Sequence, residues 1–258
     1  MTVWVAIFLG IIQGLTEFLP VSSSGHLVLF QKIFGVEIDC LMFDIVVHLG
    51  TLLAVFIIYH KSILEIIKHP FGEKTQKLVI ATIPTVIIAI LFKDIFKASF
   101  EGSFLFVGFF VTAIMMFVTN YFCKANYQYK PLTKGNAFVM GLFQGVAIFP
   151  GVSRSGSTIS SALIQGVRRS ECAEFSFLMS IPAILGSLVF ELFDINAGAF
   201  NVPFAVLLSG FVCSAVSGYF AIRFMLKVIK RAKWIWFGIY LSVLSTFLAL
   251  NQFVFHLF

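Results

Sequence analysis

Residues 10–25 read GIIQGLTEFLPVSSSG, and residues 141–156 read GLFQGVAIFPGVSRSG. When the first stretch is shifted by 131 positions onto the second, eight of the sixteen positions are identical. The identical pairs are Gly10/Gly141, Gln13/Gln144, Gly14/Gly145, Phe18/Phe149, Val21/Val152, Ser22/Ser153, Ser24/Ser155 and Gly25/Gly156. Chance similarity between apolar segments rarely places Gln-Gly and Val-Ser-x-Ser-Gly in one register. The two stretches therefore indicate an internal duplication.

The composition around these motifs is typical of a membrane protein. Hydrophobic residues make up 59% and charged residues 12% of the 258-residue chain, whereas soluble domains carry about 25% charged residues. The mean hydropathy is +1.00. The net charge of +6 comes from basic residues scattered between apolar runs, which favours a role in membrane topology over nucleic-acid binding. No nucleic-acid partner is therefore expected.

Six apolar segments approach the roughly 20 residues that a helix needs to cross the hydrocarbon layer. They are predicted at about 41–59, 78–92, 104–123, 173–193, 203–222 and 235–257. Two other apolar segments, 3–19 and 137–149, run into polar stretches and are followed by short helical stretches at 26–34 and 158–166. Irregular backbone at membrane depth is tolerated only where it lines a protein cavity, so each is predicted to form a re-entrant hairpin.

The predicted fold class is an all-α polytopic membrane protein with six transmembrane helices and two re-entrant helical hairpins. One integral membrane domain covers 1–258, with a first repeat at 1–130 and a second at 131–258. Each repeat holds one hairpin and three spans, and because three is odd, the second repeat must be inverted relative to the first. An inverted-topology repeat places a site near the midplane, at the repeat interface.

The basic residues predict the orientation of the chain. Fourteen of the 18 Lys and Arg residues lie in four predicted loops, at 60–77, 124–136, 167–172 and 223–233. They are Lys61, Lys68, Lys74, Lys77, Lys124, Lys130, Lys134, Arg168, Arg169, Arg223, Lys227, Lys230, Arg231 and Lys233. The positive-inside rule assigns these loops to the cytoplasm. Both termini are therefore predicted to lie outside.

The first motif contains a carboxylate at predicted membrane depth. Gln13 and Glu17 are four residues apart and share one face of a helix. A carboxylate in a membrane is costly, and function is the usual reason that one is found there. The alternative is that Glu17 only forms a pair with a neighbouring helix.

A polar turn follows this carboxylate and consists of Ser22, Ser23, Ser24 and Gly25. Such a turn before a short helix offers backbone N–H groups to phosphate oxygens, or it merely caps the helix. The duplication of the turn favours substrate binding. His26 adjoins the turn and can transfer protons near neutral pH. The other histidines are predicted to be structural: His48, His60, His69 and His256.

The second motif places an arginine in an otherwise uncharged stretch. The planar guanidinium of Arg154 can bind phosphate through two hydrogen bonds, or it can pair with Glu17 across the repeat interface. The neighbouring residues predicted to bind substrate are Ser153, Ser155, Gly156, Ser157 and Thr158. Hydroxyls and glycines around Arg154 favour a phosphate site.

EFLPVSSSGH and PGVSRSGSTI, at residues 17–26 and 150–159, resemble the two signature motifs of the undecaprenyl-diphosphate phosphatase family, also called the bacitracin-resistance protein family. The resemblance extends over nearly the whole chain and includes FDIVVHLGTLLAV at 43–55 and AEFSFLMSIPA at 173–183. It implies a multi-pass enzyme of the bacterial plasma membrane. Such an enzyme removes the terminal phosphate of undecaprenyl diphosphate and so recycles the lipid carrier of cell-wall synthesis, usually with a divalent cation.

The resemblance also implies an active site that combines Glu17, Ser23 and His26 of the first motif with Arg154 of the second. The family carries Glu or Gln four residues before the essential glutamate, and this chain carries Gln13, which is predicted to bind substrate. The expected cation is Mg²⁺ or Ca²⁺, shared between Glu17 and the diphosphate oxygens. Ser23 is expected either to attack the phosphorus, with His26 or Glu17 as base, or to orient a water.

The expected partners are a polyprenyl diphosphate lipid and membrane lipids, with the site opening to the outer face and a homodimer left open. The alternative function is an inverted-repeat transporter or flippase for polyprenyl phosphate lipids. The motifs are asymmetric, because Glu17, Ser23 and His26 correspond to Ile148, Arg154 and Ser157 in the second repeat. Proton-transfer groups on one side favour catalysis over transport.

Overall fold

The computed structural model describes residues 1–36, 41–101, 105–123, 129–193, 202–231 and 233–257. Within these residues the regular secondary structure is helical, apart from one isolated bridge between Lys130 and Val167, and turns or irregular segments connect the helices. The helices are α1 (Val3–Phe18), α2 (Ser23–Ile33), α3 (Leu41–Ile58), α4 (His60–Lys68), α5 (Glu73–Leu91), α6 (Lys93–Glu101), α7 (Leu105–Phe122), α8 (Lys134–Val146), α9 (Arg154–Ile164), α10 (Arg169–Phe193), α11 (Phe204–Arg231) and α12 (Ile235–Leu250), which continues as a π-helical turn (Asn251–Phe255).

Six helices in the described part of the chain are long and apolar enough to span a membrane. They contain the windows Leu41–Ile58, Glu73–Leu91, Leu105–Phe122, Arg169–Val189, Phe204–Lys230 and Ile235–Phe255. Each window overlaps one of the six predicted spans, so the prediction of an all-α, multi-pass membrane protein is confirmed.

The basic segments predicted as loops are partly helical. Residues 60–77 include α4 and the start of α5, α10 begins at Arg169, and α11 continues to Arg231. A helix can extend beyond the hydrocarbon layer because long basic side chains reach the polar interface. Lys124, which was counted in the predicted topology, lies outside the described residues.

Two pairs of short helices, α1–α2 and α8–α9, carry the duplicated motifs. The second helix of each pair begins earlier than predicted, at Ser23 instead of residue 26 and at Arg154 instead of residue 158. The cause is N-capping: Ser22 Oγ accepts a hydrogen bond from Gly25 N, and Ser153 Oγ accepts one from Gly156 N. Side-chain caps of this kind satisfy the free N–H groups of a first helical turn. The motif residues therefore belong to the first turns of α2 and α9.

Small residues let the long helix of each pair approach a helix of the other half. α1 packs mainly on α11, where a Cβ at Gly14 would lie 1.9 Å from Ser217 Oγ. α8 packs mainly on α5, where a Cβ at Gly141 would lie 2.0 Å from the backbone oxygen of Ala81. The two turns also touch, because a Cβ at Gly25 would lie 3.0 Å from Gly151 Cα. This packing brings the two motifs together.

Candidate active site

Glu17 and Arg154 meet at the centre of the site. Glu17 lies near the C-terminus of α1 and is buried, whereas Arg154 is the first residue of α9. Arg154 Nη2 donates a short hydrogen bond to Glu17 Oε1 and forms an ion pair with it. The pairing across the two motifs, one of the two alternatives for Arg154, is therefore present. It connects the first half of the chain to the second.

The other oxygen of Glu17 is held by residues of its own motif. Gln13 Nε2 donates to Glu17 Oε2 over 2.9 Å, and Ser23 Oγ donates to the same oxygen over 2.5 Å. Gln13 is one helical turn before Glu17, as the spacing predicted. The hydroxyl of Ser23 is thus aligned on a buried carboxylate that can accept its proton.

Two buried polar atoms of the site lack a partner among the described residues. They are Arg154 Nη1 and Gln13 Oε1. A buried donor without a partner is costly, and such an atom in a native site calls for a ligand or a water. Arg154 Nη1 is therefore available to an anion while Nη2 stays on Glu17. Ser23 and Ser24 next to it are partly exposed.

Two serines of the second motif bind the first turn. Ser155 Oγ donates to Leu19 O over 2.8 Å, and Ser153 Oγ lies 3.5 Å from the same oxygen. In each motif the capping serine also faces the serine two residues later, with Ser22 Oγ 3.4 Å from Ser24 Oγ and the equivalent pair at 3.3 Å. These contacts hold the two turns against each other.

The remaining predicted binding residues of the second motif are buried. Ser157 Oγ lies 3.7 Å from Met115 Sδ on α7, and Thr158 Oγ1 lies 2.6 Å from Ser176 Oγ on α10. A Cβ at Gly156 would lie 3.2 Å from Pro20 Cβ. Their observed partners are neighbouring helices and the first turn, so their role towards substrate stays a prediction.

Comparison with known proteins matches the model of the family described as bacitracin resistance protein BacA to residues 6–247. The chain belongs to the BacA family. It is 43% identical over 251 residues to the undecaprenyl-diphosphatase of Carboxydothermus hydrogenoformans, covering 96% of each chain. It is 39% identical to the undecaprenyl-diphosphatase of Christiangramia forsetii, covering 95% of this chain and 96% of that one. The enzyme of the same name from Halothermothrix orenii is 41% identical over 93% of this chain and 94% of its own.

In this BacA-family protein His26 lies beside Glu17, Ser23 and Arg154 but is not hydrogen-bonded to them in the described structure. Its Nδ1 is 2.7 Å from Ser22 O, and its Nε2 is 2.6 Å from Tyr240 Oη on α12. The hydrogen bonds of the described residues do not join His26 to Glu17, Ser23 or Arg154. The structure thus brings three of the four predicted catalytic residues into direct contact, with the fourth behind the serine turn.

His48 is a site residue that the sequence analysis assigned to a structural role. It lies on α3, and its Nε2 is 3.9 Å from Glu17 Oε2. Its Nδ1 is 2.7 Å from Asp44 O, one turn earlier. The sequence feature that could have identified His48 is its position as an ionisable residue inside an apolar span. Tyr240, by contrast, gave no signal that separated it from the many aromatic residues of this membrane protein.

A divalent cation fits the site only if the substrate supplies ligands. The described residues contain no group of three or more His, Cys, Asp or Glu side chains that could hold a metal ion. The carboxylate of Glu17 and the unpartnered Gln13 Oε1 supply oxygen atoms of the kind that Mg²⁺ and Ca²⁺ bind. These two residues could contribute to a cation whose other ligands are diphosphate oxygens and water.

Proposed function

We propose that this protein hydrolyses undecaprenyl diphosphate to undecaprenyl phosphate and inorganic phosphate, and so recycles the lipid carrier of cell-wall synthesis. The family membership and the names of the three relatives support this activity. The observation that carries the proposal is the group of Ser23, Glu17 and Arg154. It combines a hydroxyl, a carboxylate that can accept its proton and an unpartnered guanidinium nitrogen.

Arg154 binds the terminal phosphate in this proposal. Its Nη1 has no hydrogen-bond partner among the described residues. The N-termini of α2 and α9 lie close together, because their first residues, Ser23 and Arg154, both bond to Glu17. A helix N-terminus attracts anions through its backbone N–H groups and its dipole. The substrate is thus held by one side chain and two helix ends from different halves of the chain.

Ser23 is the proposed nucleophile. Its Oγ attacks the terminal phosphorus while its proton passes to Glu17 Oε2, and the bond from phosphorus to the bridging oxygen breaks to release undecaprenyl phosphate. Water then attacks the phosphoserine, Ser23 Oγ leaves and regains the proton, and inorganic phosphate departs. Phosphoryl transfer depends mainly on positioning and charge neutralisation. A water oriented by Ser23 is the alternative, which leaves no phosphoserine after an acid quench.

The proposed cation is Mg²⁺ or Ca²⁺, held by Glu17 with the diphosphate oxygens. Such an ion neutralises part of the charge on the diphosphate. Gln13 would offer its amide oxygen to the cation, and its Nε2 orients Glu17 by a hydrogen bond. Because the protein offers few ligands of its own, the cation is expected to bind much more tightly with substrate than without it.

The proposed architecture is two inverted repeats, 1–130 and 131–258, each with a re-entrant hairpin. Equivalent serines cap α2 and α9 in the same way. Equivalent glycines, Gly14 and Gly145, touch helices of the opposite half, α11 and α5. The amide oxygens of Gln13 and Gln144 are both buried and have no hydrogen-bond partner in the described part of the chain. These matched details support a duplication that extends from sequence to packing.

The proposed orientation follows from the basic residues, with both termini outside and the site open to the outer face. The lipid tail then lies among the membrane lipids while its diphosphate enters between the hairpins. A homodimer remains an expectation. Cross-linking of the protein in native membranes tests it. The transporter alternative is weaker, because the Ser23–Glu17 contact has no equivalent at Arg154 and Ile148 in the second repeat.

The test is phosphate release from undecaprenyl diphosphate by purified protein, with and without EDTA. The unmodified protein should release phosphate and Ser23→Ala should not, with a loss of roughly 10³-fold or more for a nucleophile. Ser209→Ala on α11 is the matched control, because among the described residues its hydroxyl bonds only to Val206 O of its own helix. Phosphate release by Ser23→Ala at a tenth of the normal rate or above contradicts the role given to Ser23.

A further inference from the structure

The imidazole of His26 has both ring nitrogens engaged. Nδ1 lies 2.7 Å from Ser22 O, and because a carbonyl oxygen can only accept, Nδ1 carries the hydrogen. In the neutral ring Nε2 is then an acceptor, which receives the hydroxyl hydrogen of Tyr240 over 2.6 Å. His26 is buried, and an uncompensated buried charge is costly, so the neutral ring is favoured. One tautomer is therefore fixed by its two partners.

Two aromatic rings fix the plane of this imidazole. The ring of Tyr240 is nearly parallel to it, with 5.8 Å between centroids and 14° between planes. The ring of Phe109 on α7 meets it edge-on at 5.2 Å and 83°. The same Phe109 ring fills the space that a Cβ at Gly25 would need, 2.6 Å away. His26 is thus held between α7 and α12.

The carbonyl that His26 binds belongs to a strained residue. Ser22 has φ 69°, one of two positive values at described non-glycine residues. Such a conformation costs energy and persists only where surrounding contacts hold it. Ser22 O accepts His26 Nδ1–H, and Ser22 Oγ accepts Gly25 N–H. The next residue is Ser23, whose hydroxyl bonds to Glu17.

We propose that His26 and Tyr240 form a positioning pair that holds the strained Ser22 turn, and thereby the Ser23 hydroxyl, in line with Glu17. The hydrogen-bond series runs from Tyr240 to His26, from His26 to Ser22 and, through the next residue, from Ser23 to Glu17. His26 does not accept the proton of Ser23 in this account. The inference rests on the proposed function, and it adds a residue of α12 to the machinery of that site.

Substitutions at His26 separate positioning from proton transfer. Asparagine places an N–H donor near the position of Nδ1 but offers no basic nitrogen, whereas alanine offers neither. His26→Asn should keep a kcat at least about tenfold above that of His26→Ala, a difference of one hydrogen bond, with KM little changed in both. Equal kcat values for the two variants would overturn the proposal, because a proton acceptor cannot be replaced by an amide.

Tyr240→Phe tests the other end of the pair, because it removes only the hydroxyl. The expected result is a severalfold fall in kcat with KM unchanged, and no further fall when Tyr240→Phe is added to His26→Ala. Tyr121→Phe is the control, since Tyr121 is 76% exposed on α7. Losses that add in the double variant would show that Tyr240 does not act through His26.

A spectroscopic measurement separates this inference from the proposed function. In protein with ¹⁵N-labelled histidine, the His26 ring should give the Nδ1–H tautomer, and its Nε2 resonance should shift in Tyr240→Phe but not in Tyr121→Phe. This result is expected whether or not the protein releases phosphate from undecaprenyl diphosphate. An Nε2–H tautomer, or no shift in Tyr240→Phe, overturns the pair, whereas absent phosphate release by the unmodified protein overturns only the proposed function.

Discussion

At the scale of single residues, the chemistry depends on which partners bind each of the two carboxylate oxygens of Glu17. Oε1 faces Arg154, whereas Oε2 accepts hydrogen bonds from Gln13 and Ser23. A buried carboxylate of this kind is stabilised by charged and polar partners, and the loss of one partner exposes the cost of burying the charge. Each substitution around Glu17 is therefore expected to affect both activity and stability.

His48 provides a prediction at this scale. Its Nε2 lies 3.9 Å from Glu17 Oε2 and its side chain is 24% exposed, so it can also reach a diphosphate bound beside Glu17. His48→Ala should lower kcat/KM for undecaprenyl diphosphate by about tenfold, as expected for the loss of one polar contact. His60→Ala on α4, whose ring bonds to Ile57 O, is the control. An unchanged kcat/KM in His48→Ala would return His48 to the structural role assigned from the sequence.

At the scale of helices, the close approach of α1 to α11 positions Glu17. A Cβ at Gly14 would lie 1.9 Å from Ser217 Oγ and 2.5 Å from Ser214 O. Ser214 O is a backbone atom and cannot move aside as a side chain can. The α1–α11 contact therefore has no room for a methyl group.

Gly14→Ala should lower thermal stability in detergent, since overpacking costs about 1–3 kcal/mol, and should reduce phosphate release by shifting Glu17. Gly186→Ala on α10 is a matched control, because a Cβ there would meet no described atom within 4 Å. The control should be neutral or slightly stabilising, as alanine favours a helix over glycine. Equal stabilities of the two variants would contradict the packing described for α1.

The helices also show what a sequence pattern can predict. Hydropathy alone predicted the six spans, because an uninterrupted run of about 20 apolar residues is typical of a transmembrane helix. The sequence pattern placed the starts of α2 and α9 three and four residues too late. The reason is that a serine-rich stretch predicts a turn as readily as a capped helix. Contacts between distant residues, such as Tyr240 with His26, depend on helix packing and leave no local pattern in the sequence.

At the scale of the whole molecule, the site forms where the two duplicated motifs meet. The pairing of Arg154 with Glu17 was one of two alternatives in the sequence, and the duplicated motifs gave the reason to expect the two residues near each other. The sequence did not predict that Ser155 would bind Leu19 O, because that contact appears only when the turns meet.

The orientation of the chain gives a prediction at this scale. In a background without native cysteines, Leu257→Cys should react with a membrane-impermeant maleimide in intact cells, whereas Phe71→Cys should react only after permeabilisation. Both positions are well exposed, at 68% and 88%, so differences in labelling report the side of the membrane. Labelling of Phe71→Cys in intact cells would contradict the assignment of the basic segments to the cytoplasm.

Arg154 tests the central claim, that the second half supplies the anion-binding group for the Ser23–Glu17 pair of the first. The measurement is kcat/KM for undecaprenyl diphosphate in Arg154→Ala, with and without added guanidinium, beside Arg223→Ala as a control from an exposed site on α11. Arg154→Ala should lose about 10²–10³-fold, as for removal of one donor to a charged transition state, and guanidinium should restore part of the rate. A folded Arg154→Ala protein with the kcat/KM of the control would contradict the account.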